Sequence, residues 1–221
     1  MSVEFTPARR ISVAADRLPG WVERFGSRHG TLTSTILPAE IFLHAADGAH
    51  ARLINCWAPM ESTIGLDEAV AHLVMPRRLA VLLVRKGASA VGIAVGDELV
   101  VHRTSRHYVQ SRTKAGGWSQ QRYARRRANQ ARSAYQQTSD DAVEVLLPEL
   151  TGCEGLIVGG DKTAVNEVLA DLRLARLARL PRPVPLIPAP DARLSVLAET
   201  IKQARAVQID LDATAVGDER S

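Results

Sequence analysis

Residues 111–127 read Ser-Arg-Thr-Lys-Ala-Gly-Gly-Trp-Ser-Gln-Gln-Arg-Tyr-Ala-Arg-Arg-Arg. Adjacent Gly116 and Gly117 open torsions closed to other residues and let the backbone approach a second molecule with no side chain in the way. Arg112 and Lys114 make that loop cationic. It runs into a stretch, from Ser119 to Gln137, that holds neither Gly nor Pro and reads as a long helix, whose first free amides attract anions. On a 100° wheel Arg122, Arg125, Arg126, Asn129, Arg132 and Ser133 share one side, and Tyr123, Ala124, Ala128, Ala131, Ala134 and Tyr135 the other. Arg127 lies toward the apolar side and must reach round its edge. Small residues on one face and guanidinium groups on the other suit a helix that rests on a sheet and meets phosphates.

The charge distribution sharpens this reading. The net charge is only +4, which decides nothing. Between Glu98 and Asp140, however, there is no acidic residue, while Arg103, Arg106, Arg112, Lys114, Arg122, Arg125, Arg126, Arg127 and Arg132 fall there with His102 and His107. A solvated structural helix interleaves signs at i±4, and this one does not. Such a field is the footprint of a polyphosphate partner.

The elements that must position the loop follow from the apolar pattern. Leu79–Val84 is an uninterrupted apolar run of strand length, suited to a central strand covered on both faces. Ala90–Val95, Leu99–Arg103 and His107–Arg112 read as further strands, with Gly96-Asp97-Glu98 turning between the first two; a meander thus feeds the loop. After the long helix, Asp140–Leu150 reads as a second helix capped by Thr138 or Ser139. Gly155–Gly159 reads as a buried strand, Lys162–Leu172 as a helix, and the proline-rich 180–190 as an edge strand. Leu194–Ala204 reads as a helix and Ala206–Leu211 as a last strand. Upstream, Arg10–Ala15 reads as a strand, Leu18–His29 as a helix stopped by Gly30, Ile41–Ala46 and Ala51–Trp57 as a hairpin about Asp47-Gly48, and Leu66–Val74 as a helix ended by Pro76. The expected fold is α/β (α+β): a mixed, largely antiparallel sheet covered by helices. One domain is expected over residues 1–212, with 1–77 as an N-terminal elaboration, 78–212 as the core and 213–221 as a disordered tail.

The Gly116-Gly117 pair, then Ser119, Arg122, Tyr123, Ala124 and Arg125, resembles the middle domain of eukaryotic and archaeal class-1 peptide release factors. There Gly-Gly-Gln is followed by Ser, two residues, then Arg, an aromatic, Ala and Arg. The strand meander before the loop and the basic helix after it fit the same resemblance. The Leu18-Pro19-Gly20-Trp21 and Arg28-His29-Gly30 segments, with this loop, resemble the actinobacterial Vms-like release-factor family. The similarity extends over most of the chain and is strongest from Leu79 to Leu150. One position departs: aligned on the glycines and Ser119, Trp118 stands where the release-factor glutamine would be. The Vms-like branch resembles Gly-x-x-Gln, which Gly117-Trp118-Ser119-Gln120 satisfies, so the resemblance assigns the reactive glutamine to Gln120, with Gln121 as second choice. Adjacent side chains on a helix point about 100° apart, so only one of the two can face a substrate.

What the resemblance implies is hydrolysis of the ester between a nascent peptide and its tRNA, in rescue of stalled ribosomes or large subunits. Gln120 with the backbone of Gly116 and Gly117 would be the catalytic group. Arg112, Lys114, Trp118, Ser119, Arg122, Arg125, Arg126 and Arg132 would face RNA. A glutamine amide accepts from water and donates to an oxygen without changing charge. The partners implied are large-subunit ribosomal RNA and peptidyl-tRNA, with no metal and no cofactor, and the chain is expected to act as a monomer. Trp118 has two readings, an anchor that folds the loop onto its own domain or a platform on which a base stacks. A ribosome- or tRNA-binding factor that has lost hydrolysis, with Trp118 replacing the reactive glutamine, is the rival; an RNA-binding stress protein acting away from the ribosome is a third.

Other chemistry finds little support. The six histidines form no metal spacing with cysteines or carboxylates. Gly159-Gly160-Asp161-Lys162 lacks the full phosphate-loop spacing and reads as a turn before a helix. Cys56 and Cys153 lie far apart in apolar settings and read as small buried hydrophobes. Hydrophobic residues make up 46% of the chain, which excludes wholesale disorder. Neither a signal peptide nor an apolar run of about 18 residues is read, so a cytoplasmic setting is expected.

Overall fold

The computed structural model describes residues 5–85, 87–106 and 118–217. In chain order the elements are β1 (Arg9–Val13), α1 (Leu18–His29), β2 (Leu32–Leu37), β3 (Glu40–Ala45), β4 (His50–Ile54), α2 (Leu66–Val74), β5 (Arg78–Arg85), β6 (Ala88–Val95), β7 (Glu98–Arg106), α3 (Trp118–Leu146), β8 (Gly155–Gly160), α4 (Lys162–Leu169), α5 (Ala175–Ala178), α6 (Leu194–Arg205), β9 (Val207–Leu211) and α7 (Ala213–Gly217). They form an α+β fold with two sheets, in two compact units: residues 1–75 with 205–221, and residues 76–204.

The first unit is a five-stranded antiparallel sheet in the order β1-β9-β4-β3-β2. Alternation along the strands sends Ile41, Leu43, Leu53 and Ile209 to one face, where they meet Leu18, Val22 and Phe25 of α1 and Val70 and Leu73 of α2 in one core. The Asp47-Gly48 turn forms as the sequence predicts. Gly48 takes φ 88°, a left-handed torsion, and the Asp47 carboxylate accepts from the Ala49 amide at 2.9 Å and faces His29 Nδ1 at 2.8 Å. Both contacts hold the Asp47 carboxyl below its ordinary range, the backbone amide most. Strand β2 is not among the strands that the apolar pattern predicts. It is an edge strand whose threonines face solvent and whose Ile36 alone is buried, so it offers little apolar alternation to read.

The second unit is a four-stranded sheet in the order β7-β6-β5-β8. Strands β5, β6 and β7 are the expected antiparallel meander, and β8 pairs parallel with β5. Residues 79–84 are buried throughout, as an apolar run between two neighbours should be. One face carries Ala80, Leu82, Val91, Ile93, Leu156 and Val158 into a core shared with α3 and α4.

Four expectations are corrected. The long helix does not break at Thr138: α3 is continuous over 29 residues, roughly 44 Å. Thr138 Oγ1 donates back to the Ala134 carbonyl at 2.9 Å, which a hydroxyl inside a helix readily does, and Ser139 Oγ donates to Val168 O at 3.5 Å. Residues 180–190 do not form a ladder strand. Prolines at 181, 183, 185, 188 and 190 remove the amides a strand would donate, leaving single hydrogen bonds such as Ile187 N to Val158 O at 2.9 Å. Strand β9, expected in one core with residues 78–212, pairs with β1 and β4 of the first unit. Residues 213–217, expected to fray, are α7, tied down by Ala215, which is buried and whose amide donates to Asp212 Oδ1 at 2.8 Å.

Candidate functional site

Long helix α3 has two electrostatically distinct halves. From Ala134 onward it is part of the core: Ala134, Thr138, Ser139, Asp141, Ala142, Val145 and Leu146 are buried. There it packs on β6 and β7 and against α4. Before Ala134, no described side chain of α3 is buried. The residues from 118 to 133 make about four turns, on which the described side chains are exposed or half-buried. The absence of Gly and Pro keeps the backbone helical there, and the buried half supplies the tertiary support that propensity alone does not.

The predicted wheel is recovered on its polar side: Arg122, Arg125, Arg126, Asn129, Arg132 and Ser133 are all exposed. On the apolar side, among the described residues, Ala128 is exposed, Ala131 and Tyr135 are half-buried and Ala134 is buried. Arg127 is half-buried, in keeping with a side chain that reaches round the helix. Among the described residues no carboxylate pairs with Arg122, Arg125, Arg126 or Arg132. The acidic residues of α3 lie lower and are already engaged. Asp140 Oδ1 accepts from Arg173 at 2.7 Å, and Asp141 accepts from Arg103 at 3.2 Å and from Ser105 Oγ at 2.6 Å. Glu144 also accepts from Arg103, and these two acids hold the Arg103 guanidinium above its ordinary range, the Glu144 hydrogen bond most.

That pairing removes Arg103 from the free basic field in which the sequence places it. Two acids three residues apart on one helix face, opposite a strand arginine, are the signal that marks it as an anchor. His102 is exposed on β7. Arg132 differs in surroundings from the arginines above it: it lines a groove of about 440 Å³ between α3 and α4, together with Ala128, Ala131 and Tyr135, opposite Glu167 and Asp171. Burial, with Asp161 and Glu167 nearby, pushes the Tyr135 phenol up, so it stays protonated and able to donate.

Trp118, Ser119, Gln120 and Gln121 form the first turn of α3. Their side chains, with those of Tyr123 and Ala124, lie outside the described residues, as do Arg112, Lys114, Gly116, Gly117 and the predicted strand His107–Arg112. The described geometry therefore brings together the arginine face and the helix end that the loop enters. That end carries the positive pole of a long helix dipole, strengthened by Arg122 within the first turns. The phosphate-loop alternative at Gly159-Gly160-Asp161-Lys162 is filled by the chain itself. Asp161 Oδ1 accepts from the Ala164 amide at 3.1 Å as the cap of α4, and the Gly160 amide donates to Ile187 O at 3.0 Å.

Residues 77–210 match the model of the Actinobacteria/chloroflexi VLRF1 release factor, well over half of the chain. The chain belongs to that family. In this VLRF1-family chain the matched segment takes in α3 with its arginine face, while β1 to β4, α1 and α2 precede it. No curated protein matches the chain in sequence. Among solved structures it is similar to a crystal structure of the archaeal translation termination factor aRF1 (12% identity, 87% of this chain and 70% of that one, TM-score 0.40). It is also similar to the Vms1 mitochondrial localization core (12% identity, 87% and 81%, TM-score 0.39). Among the described residues no helix is long and apolar enough to cross a membrane.

Proposed function

We propose that this release-factor-family chain acts on the ribosome, in the cytoplasm, as a peptidyl-tRNA ester hydrolase that frees nascent peptides from stalled complexes or large subunits. The observation that supports this reading above others is the outer half of α3. Arg122, Arg125 and Arg126 stand exposed, with no carboxylate partner among the described residues, directly after the Gly116-Gly117 loop. A helix so charged is held by ribosomal or transfer RNA phosphates while the glycine backbone enters a narrow space beside the ester.

The reaction itself asks little covalent help of the protein. Water attacks the ester carbonyl carbon, the tetrahedral oxyanion collapses, and the ribose hydroxyl leaves with a proton as the peptide departs as a carboxylic acid. In this proposal Gln120 positions the water and donates to a developing oxygen, and backbone amides about Gly117 add donors. Arg112, Lys114, Trp118 and Ser119 would keep RNA against the loop, and Arg132 would extend the interaction along the helix.

A second reading keeps the RNA binding and drops the chemistry. It is favoured by Trp118, which stands where the resemblance places the release-factor glutamine. Release of labelled peptide from stalled nascent-chain complexes separates the two, with large-subunit binding read in parallel by sedimentation at low and high salt.

A further inference from the structure

Helix α1, with Arg17 at its N-cap, carries a second basic stripe, outside the segment matched by the family model. Arg17, Trp21, Arg24 and Arg28 succeed one another at spacings of four, three and four residues, so their side chains share one side. The arginines are exposed and Trp21 is half-buried. Among the described residues no carboxylate pairs with any of the three. Glu23, the acidic residue within α1, lies about 100° round the helix from Arg24.

The other side of α1 buries Leu18, Val22, Phe25 and His29 in the core of the first unit. That burial fixes the tryptophan. Its ring stacks on Phe25 with centroids 5.2 Å apart and planes 18° from parallel, and Phe25 in turn packs on His29 at 4.7 Å. His29 Nδ1 is taken by Asp47 at 2.8 Å, so the whole stack is braced. Beside it lies a hollow of about 170 Å³, lined by Trp21, Arg24, Phe25, Arg28 and, from α7, Ala215. The Arg24 guanidinium rests close to the helix over Gly20, where an added Cβ would come within 3.1 Å of Nη1. A fixed aromatic floor with a cationic rim is thus already assembled.

We propose that this stripe is a single-stranded RNA site, in which a base stacks against Trp21 and neighbouring phosphates lie on Arg17, Arg24 and Arg28. The stripe runs roughly 16 Å along the helix, a length that several phosphates of one strand occupy. An aromatic platform beside arginines answers both parts of a nucleotide. An acidic peptide would use the charges and leave the ring idle. A membrane surface would need an apolar helix face to insert, and that face of α1 is spent on the core. The site does not depend on hydrolysis by α3 and its loop.

The test uses the full chain with Arg125→Glu and Arg126→Glu, which removes the α3 contribution, and with Trp57→Phe and Trp118→Phe, which leaves Trp21 as the one emitting tryptophan. Titration with a single-stranded 12-residue oligouridylate at low salt should quench Trp21 emission saturably. Adding Arg24→Glu with Arg28→Glu should weaken that binding roughly tenfold or more and lower the log–log salt slope by about 1.4. The same pair, read by oligonucleotide anisotropy with all three tryptophans kept, tests the site if the tryptophan replacements unfold the chain. Emission that does not respond to RNA, an equal response to polyglutamate or to phosphatidylserine vesicles, or unchanged affinity in the charge-reversed pair would overturn the proposal.

Discussion

Arg103 Nη1 lies 3.2 Å from Asp141 Oδ1, and this ion pair joins β7 to the buried half of α3. Asp141 is 6% exposed and also accepts from Ser105 two residues along the same strand. The pair lies within the half of α3 that is core from Ala134 onward. In that half Asp140, Asp141 and Glu144 are all matched, whereas among the described residues no carboxylate pairs with Arg122, Arg125, Arg126 or Arg132.

Asp141→Ala should destabilise the chain by about 1–3 kcal/mol, since it removes the buried acceptor of two part-buried hydrogen bonds, from Ser105 and Arg103. Urea unfolding followed by circular dichroism measures it. An unchanged midpoint would mean that the pair does not anchor α3.

Charge reversal at Arg125 and Arg126 should weaken association with large subunits without altering stability. It should also flatten the salt dependence, by about one unit of slope for each phosphate left without its arginine. Sedimentation across a salt series reads both quantities. Equal slopes in wild type and variant would show that these guanidinium groups touch no phosphate.

Acid should selectively weaken the first sheet. Asp210 of β9 is 1% exposed, and Arg10 Nε at 2.6 Å and Arg52 Nη2 at 2.7 Å meet its carboxylate. The Arg10 hydrogen bond, chiefly, holds its carboxyl at about 2 against an ordinary 3.8. A carboxyl that is more acidic in the folded chain contributes stability that is complete above about pH 4 and is lost as pH falls toward 2. Asp210→Asn should therefore be less stable than wild type at pH 7, and the gap should close between pH 4 and 2. Denaturant midpoints of both chains across that window test it; a gap that stays constant would rule out the carboxylate as its source.

Gly159 sits where a side chain has no room. A Cβ there would lie 2.6 Å from Leu83 Cδ2 and 2.9 Å from the Ile187 carbonyl. Gly159→Ala should cost about 1–3 kcal/mol by overpacking. A thermal midpoint equal to that of wild type would show that residues 187–189 give way freely.

Much of the architecture is legible in the chain. The apolar run of β5, the Asp47-Gly48 turn, Gly30 after α1 and the long Gly- and Pro-free stretch of α3 each speak locally, because each feature is written in consecutive residues. What is missed is settled by partners distant in sequence. Thr138 looks like a cap until Ala134 and Val168 are seen to accept from the hydroxyls at 138 and 139. Strand β9 looks like part of the nearer core until β1 and β4 claim it. Arg103 counts as free charge until Asp141 and Glu144 face it. In the candidate site the arginine face is readable from spacing alone. The choice between Gln120 and Gln121 is not, because two adjacent side chains in one helical turn point about 100° apart and the spacing alone does not say which of them would face the proposed ester.

The central claim is tested most directly by release of labelled peptide from large subunits carrying peptidyl-tRNA, comparing wild type with Gln120→Ala, Gln121→Ala and Trp118→Ala, each checked for subunit binding. The account predicts release lowered roughly 10²- to 10³-fold by Gln120→Ala alone, the loss expected for one positioned amide, with binding intact. Wild-type release by the Gln120→Ala chain would contradict it.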